Sequence, residues 1–179
     1  MDIFAQIIGL IASIIMIVAI QVKDKKKLYL ILNILVKVLY GLNFLLLNAY
    51  SGTITQIIGL VITVVAYIYT KKDLNVPKYL TVAFIVVTLI GGIFTYNNIY
   101  SLMAICCGIT YALIVACKNM KTIRKLNLAQ SLLWTIYDLI INAYTASISS
   151  AFVFISTVIA IFRYDILKRD KAKNNESIN

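Results

Sequence analysis

The sequence predicts an all-α polytopic membrane protein: seven transmembrane helices, arranged as two parallel three-helix repeats joined by a linker helix. Three observations indicate the membrane class: 61% of the residues are hydrophobic and only 13% are charged, the apolar residues form continuous runs, and the basic residues collect in alternate connections. A soluble domain of this length has about 25% charged residues and could not hide so much apolar surface. The runs do not alternate in polarity, which excludes the strands of a membrane β-barrel.

Seven apolar segments match the length that crosses the hydrocarbon core, roughly 20 helical residues with a range of about 17 to 25. Their predicted limits are 3–21, 28–47, 52–70, 79–95, 100–117, 126–141 and 147–162. The first segment has no basic region before it and no small-residue cleavage site after it. We therefore expect a retained helix there and not a signal peptide.

The basic residues lie almost entirely in the connections on one side of these segments. The first, third and fifth connections and the C-terminal tail hold 16 of the 17 lysines and arginines, and Lys37 lies inside a predicted span. The positive-inside rule then places the C-terminus in the cytoplasm and the N-terminus outside. The rule also accounts for the net charge of +10, so the lipid bilayer is the expected partner and nucleic acid is not.

An internal duplication runs through the sequence. The loop Asn48-Ala49-Tyr50 aligns with Asn142-Ala143-Tyr144, and the same gapless alignment places Asn33 on Asn127 inside a span. Helices 1–3 and 5–7 are therefore predicted to be parallel repeats, and helix 4 allows both to insert with the same orientation. The division of the chain follows: first repeat 1–72, linker region 73–97, second repeat 98–167 and polar cytoplasmic tail 168–179.

The sequence resembles two groups of known membrane proteins. Gln21-Val22-Lys23 resembles the end of the first PQ-loop helix, and the 3+1+3 plan resembles the SWEET, PQ-loop and PnuC group of small transporters. Other distinctive segments extend along nearly the whole chain: Lys23–Lys27, Asn43–Leu46 before Tyr50, Gly91-Gly92, Cys106-Cys107, Trp134–Asp138 and Ile161–Arg163. These segments resemble the YgjV-like family of bacterial inner membrane proteins, which implies the fold and the location. Where that family tends to have His, this chain has Asn43 and Tyr137.

Polar and aromatic side chains form a stripe on helix 2 and another on helix 6. The residues of these stripes, with one glutamine from helix 3, are Asn33, Lys37, Tyr40, Asn43, Gln56, Asn127, Gln130, Trp134, Tyr137 and Asp138. Interior polar groups in a membrane need a partner or a water-lined cavity. We expect the two stripes to enclose a pocket for a small polar solute, because amides and aromatic rings suit a neutral, ring-shaped molecule. The alternative is that the amides only hold the helices together.

Lys37 and Asp138 are the basic and the acidic residue well inside the predicted spans. Asp138 lies about 10 Å further toward the outside, at 1.5 Å per helical residue. Three interpretations are open. Lys37 reaches outward to pair with Asp138, Lys37 snorkels to a membrane surface, or Asp138 faces an outer vestibule and takes up a proton or cation.

The sequence predicts no enzyme, no cofactor and no metal site. The chain contains no His, no paired carboxylates, no Gly-rich phosphate loop and no nucleophile beside an evident base. The function we expect is passive or ion-coupled passage of a small polar solute between the two repeats, which rock against each other. The alternative is a sensor or structural membrane protein that transports nothing. A homo-oligomer is compatible with either function.

Overall fold

The computed structural model describes residues 3–23, 25–46, 50–94, 101–140 and 144–166. These residues form seven α-helices and one π-helical turn, with no strand among them, so the all-α prediction is confirmed. The elements are α1 (Ile3–Gln21), α2 (Lys26–Leu46), α3 (Tyr50–Lys71), α4 (Lys78–Phe94), α5 (Ser101–Ala116), α6 (Met120–Ile140), α7 (Tyr144–Ile161) and the π-helix (Phe162–Ile166).

Four segments in the described part of the chain are long and apolar enough to cross a membrane: Phe4–Gln21, Lys26–Leu46, Thr53–Lys71 and Ser147–Ile166. The helices α4 and α5 are apolar but have only 17 and 16 residues, and both border residues 95–100, which are outside the described part. Helix α6 has 21 residues but includes three basic residues near its start. The count of seven transmembrane helices therefore stays a prediction.

Helix α6 begins at Met120, whereas the sequence predicts a span from residue 126. Asn119 explains the earlier start, because its Oδ1 accepts a hydrogen bond from the Lys121 backbone N–H at 3.0 Å, and its carbonyl accepts one from the Ile123 N–H at 3.1 Å. An amide side chain at this position satisfies a donor of the first turn that has no partner within the helix. As a result Arg124, which the sequence places in a connection, lies inside α6 and is buried.

The helices pack around two central members. Helix α2 lies against α1 and α3, α6 lies against α5 and α7, and further contacts join α1 to α7, α3 to α5 and α4 to α5. On α1 the buried face consists of small residues such as Ala5, Ala12 and Ala19, while Phe4 and Ile14 on the opposite face are more than half exposed. Small residues permit close helix contacts, and lipid covers the apolar outer faces.

Three connections and the π-helix meet at one end of the bundle. We call this the lysine-rich end, and it comprises residues 21–23, 25–27, 71–78, 115–125 and 162–166. The Lys26 Nζ donates a hydrogen bond to the Val115 carbonyl at 3.0 Å, which joins the start of α2 to the end of α5. Lys27 and Asp73 form an exposed ion pair at 3.0 Å, which joins the start of α2 to the connection after α3. The basic connections therefore lie on the same side of the bundle.

Gly108 lets α5 approach α4 closely at Thr88. A Cβ at position 108 would overlap with the Thr88 Cγ2, and the Thr88 hydroxyl donates to the Phe84 carbonyl at 2.8 Å, which restrains the side chain. We expect Gly108→Ala to lower the free energy of unfolding by about 1–3 kcal/mol through overpacking. Adding Thr88→Ser removes the Cγ2 and should restore most of that loss. Unfolding of the wild-type protein and of these two variants in detergent micelles measures both effects, and a loss that Thr88→Ser does not relieve would contradict the contact.

Candidate functional site

A polar cavity of about 110 Å³ lies inside the bundle. Helices α2 and α6 contribute four lining residues each, α7 contributes two, and single residues come from α1, α3 and α5. Its lining residues are Met16, Asn33, Val36, Lys37, Tyr40, Gln56, Tyr111, Asn127, Gln130, Ser131, Trp134, Ser150 and Val153. The structure thus brings together seven of the ten predicted site residues.

Two of the other three predicted site residues, Asn43 and Tyr137, are not among the lining residues. The Asn43 amide donates to the Ala5 carbonyl of α1 and is buried there, so it joins α1 to α2. Tyr137 packs edge-on against Trp134, with ring centroids 5.6 Å apart and planes at 81°. Asp138 lies in α6, but its side chain is outside the described residues, so its pairing with Lys37 stays a prediction.

Two amides in the cavity wall also join helices. The Asn127 Nδ2 donates to the Tyr29 hydroxyl of α2 and to the Ile123 carbonyl, both at 3.0 Å. The Gln130 Nε2 donates to the Cys107 carbonyl of α5, also at 3.0 Å. At these two positions the alternative that amides hold the helices together describes the contacts correctly.

Asn33 and Gln56 differ from these two amides, because each has a buried side-chain oxygen that accepts no hydrogen bond from a described residue. The Asn33 side chain is 1% exposed and that of Gln56 is 6% exposed. The Asn33 Nδ2 donates to the Tyr29 carbonyl of its own helix at 3.0 Å, whereas the Asn33 Oδ1 and the Gln56 Oε1 accept no hydrogen bond from any described residue. A buried acceptor left unsatisfied costs free energy. These oxygens are therefore groups that a bound solute or water would satisfy.

The Lys37 ammonium lies inside the bundle, over an aromatic ring. Its Nζ is 4.0 Å from the centroid of the Tyr111 ring, and the Tyr111 hydroxyl shares a 2.6 Å hydrogen bond with the Thr63 hydroxyl, which holds the ring in place. Gly59 of α3 leaves room for the lysine chain, since a Cβ there would be 3.2 Å from the Lys37 Cε. The side chain therefore points into the cavity and not along the helix to a membrane surface.

Arg124 is not among the predicted site residues, yet it is the most fully buried charged side chain of the described part. Its guanidinium is 2.8 Å from the Asp165 carboxylate, and both side chains are at least nine-tenths buried. It also donates to the carbonyls of Val22 and Lys23 at 3.1 and 3.3 Å, and its Cζ lies 4.9 Å from the centroid of the Tyr164 ring. Arg124 thus joins α6, the residues after α1 and the π-helix at the lysine-rich end. The sequence signal for it is Asp165, an acidic residue among basic ones just after α7.

Comparison with protein families gives a match over nearly the whole chain. The model of Imp-YgjV, described as a bacterial inner membrane protein family, matches residues 3–168. The resemblance to the YgjV-like family is therefore confirmed. No curated protein and no solved structure matches the chain.

Proposed function

Because the chain belongs to the Imp-YgjV family of bacterial inner membrane proteins, we propose that it lets a small polar solute cross that membrane through the cavity between α2 and α6. The observation that supports this most directly is the cavity itself, because two of its lining side chains have a buried amide oxygen without a hydrogen-bond partner in the described chain. Polar side chains that converge on one cavity are typical of ligand sites. On this proposal the protein is a transporter or facilitator and not an enzyme.

The proposal includes two parallel three-helix repeats, α1–α3 and α5–α7, with α4 as the linker. The alignment of Asn33 with Asn127 also pairs other residues of the cavity wall: Val36 with Gln130, Lys37 with Ser131, Tyr40 with Trp134 and Gln56 with Ser150. The contacts between helices follow the same relation. In the repeats α1 corresponds to α5 and α7 corresponds to α3, and α1 contacts α7 just as α5 contacts α3. A cavity lined by equivalent positions of two repeats lies where parallel-repeat transporters bind their substrates. This is also the part of the plan that resembles the SWEET, PQ-loop and PnuC group.

The proposed orientation places the lysine-rich end in the cytoplasm. The Lys and Arg residues of the connections favour this side of the inner membrane, and anionic headgroups attract the same residues. The C-terminus is then cytoplasmic and the N-terminus is outside. Rocking of α1–α3 against α5–α7 would open the cavity to each side in turn.

A non-transporting membrane protein is the second candidate function. The contacts of Asn127 with Tyr29 and of Gln130 with the Cys107 carbonyl favour it, because they join helices without any solute. The two candidates differ in what they predict for Asn33, whose oxygen accepts no hydrogen bond from the described residues.

Asn33→Leu separates the two candidates, and Asn43→Leu on the same helix is its matched control. We expect Asn33→Leu to leave the free energy of unfolding unchanged or raised by up to about 1 kcal/mol, since no interhelical hydrogen bond is lost and an unsatisfied oxygen disappears. Asn43→Leu should lower it by about 0.6–1 kcal/mol, because the hydrogen bond to the Ala5 carbonyl is lost.

A thermal-shift screen of the purified protein against a panel of polar metabolites supplies the functional readout for these variants. A solute that stabilises the wild-type protein should lose its effect in Asn33→Leu and keep it in Asn43→Leu. If Asn33→Leu destabilises the protein as much as Asn43→Leu and leaves solute stabilisation intact, Asn33 is structural and the proposed site is wrong.

A further inference from the structure

Lys37 brings a positive charge into the cavity that no described carboxylate balances. The side chains that the structure describes include two carboxylates, Asp73 and Asp165, and these pair with Lys27 and Arg124 at the lysine-rich end. The contact of the Lys37 ammonium is the face of the Tyr111 ring, at 4.0 Å. A cation–π contact compensates only part of the hydration that a half-buried ammonium loses. An anion in the cavity would supply the remainder.

The same cavity also offers acceptors. The side chains of Asn33 and Gln56 line the cavity, and their oxygens, Oδ1 and Oε1, are buried and accept no hydrogen bond from the described residues. Carbonyl oxygens repel a carboxylate but accept hydrogen bonds from a hydroxyl or an ammonium. A neutral solute with a donor group would satisfy these oxygens but leave the Lys37 charge without a counterion. An anion without a donor group would balance the Lys37 charge but leave the oxygens unsatisfied. A molecule with a carboxylate and a separate donor group fits both sets of groups.

The size of the cavity favours a molecule of a few atoms. Its volume of about 110 Å³ is smaller than the roughly 150 Å³ of a protein cavity that binds benzene. It is also well below the range of about 300–1,000 Å³ for drug-sized ligands. Molecules with about six non-hydrogen atoms or fewer, such as glycolate, lactate or glycine, match this size.

We propose that the solute is a small hydroxy- or amino-monocarboxylate, whose carboxylate binds the Lys37 ammonium and whose donor group binds the Asn33 and Gln56 oxygens. This inference rests on the proposed function, because it assumes that the cavity receives a solute. It replaces the neutral ring-shaped solute that the amides and aromatic rings alone predict. Binding can be measured without transport, so the two proposals can fail separately.

Trp134 is the single tryptophan of the chain and lines the cavity, so its fluorescence reports binding at this site. The purified protein in detergent is titrated with glycolate and with L-lactate, and in parallel with their neutral analogues glycolamide and lactamide, at constant ionic strength. We expect a saturable change with the carboxylates and an apparent affinity for the amides at least tenfold weaker. Lys37→Met should weaken carboxylate binding at least tenfold, and Lys37→Arg should retain most of it. Lys27→Met removes the same charge from the same helix at its exposed end and should change nothing.

Several results would overturn the proposal. Equal binding of carboxylates and amides, or unchanged carboxylate binding in a folded Lys37→Met protein, would show that Lys37 does not select the solute. Carboxylate binding that occurs only in Asp138→Asn would identify Asp138 as the partner of Lys37. No response to either class also overturns it, and solute passage in proteoliposomes then decides the proposed function separately. The thermal melting of each variant verifies its fold, and Lys37→Arg keeps the test valid if Lys37→Met does not fold.

Discussion

Replacing Arg124 with Met is expected to lower the free energy of unfolding by about 3 kcal/mol or more. The substitution leaves the Asp165 carboxylate, which is nine-tenths buried, without its 2.8 Å partner, and the carbonyls of Val22 and Lys23 lose a donor. Removing one member of a buried ion pair costs about 3–5 kcal/mol, because the other charge stays buried and unpaired. Equilibrium unfolding in mixed micelles measures the change.

The double variant Arg124→Met, Asp165→Leu separates the cost of the orphaned charge from the value of the pair. It should recover a large part of the stability lost in the single variant, since no buried charge remains. Lys27→Met is the matched control, because its partner Asp73 is highly exposed and exposed pairs contribute little. If Arg124→Met unfolds no more easily than Lys27→Met, the buried cluster does not hold the lysine-rich end together.

Filling the cavity is expected to abolish solute passage. Ser131 is 5% exposed and lines the cavity from α6, so the ring of Ser131→Phe would occupy much of a space of about 110 Å³. We expect the transport rate above that of protein-free liposomes to fall at least tenfold, because the solute and the ring cannot share this volume. The neighbouring variant Leu132→Phe adds a ring on a side chain that is about half exposed and should leave transport unchanged. Equal rates in both variants would exclude the cavity as the route.

Hydrophobicity was sufficient to predict the helices but not all of their ends. The apolar runs predict all seven α-helices, since lipid imposes long apolar segments of helix. The start of α6 is different, because Asn119 extends the helix back through basic residues that a hydropathy criterion assigns to a connection. The sequence therefore places Arg124 in a connection, and its burial against Asp165 depends on a partner about forty positions further along the chain.

Helical spacing predicts part of the cavity wall, but it does not show which neighbouring helix each residue meets. Asn33, Lys37 and Tyr40 follow one face of α2, and the structure places all three in the wall. Asn43 lies further along α2, at the level of Ala5, where α1 packs against it. Spacing along one helix shows which residues share a face, but which neighbour that face meets at each depth depends on tertiary packing.

The passage of solutes through the purified protein shows whether the cavity is a route across the membrane. Proteoliposomes with the wild-type chain, and with Ser131→Phe, are exposed to gradients of small polar solutes that include glycolate, lactate and their amides, and the light scattering of the vesicles is followed with time. We expect at least one of these solutes to enter wild-type vesicles several times faster than protein-free vesicles, and Ser131→Phe to remove the difference. Wild-type rates equal to those of protein-free vesicles for every solute would contradict it.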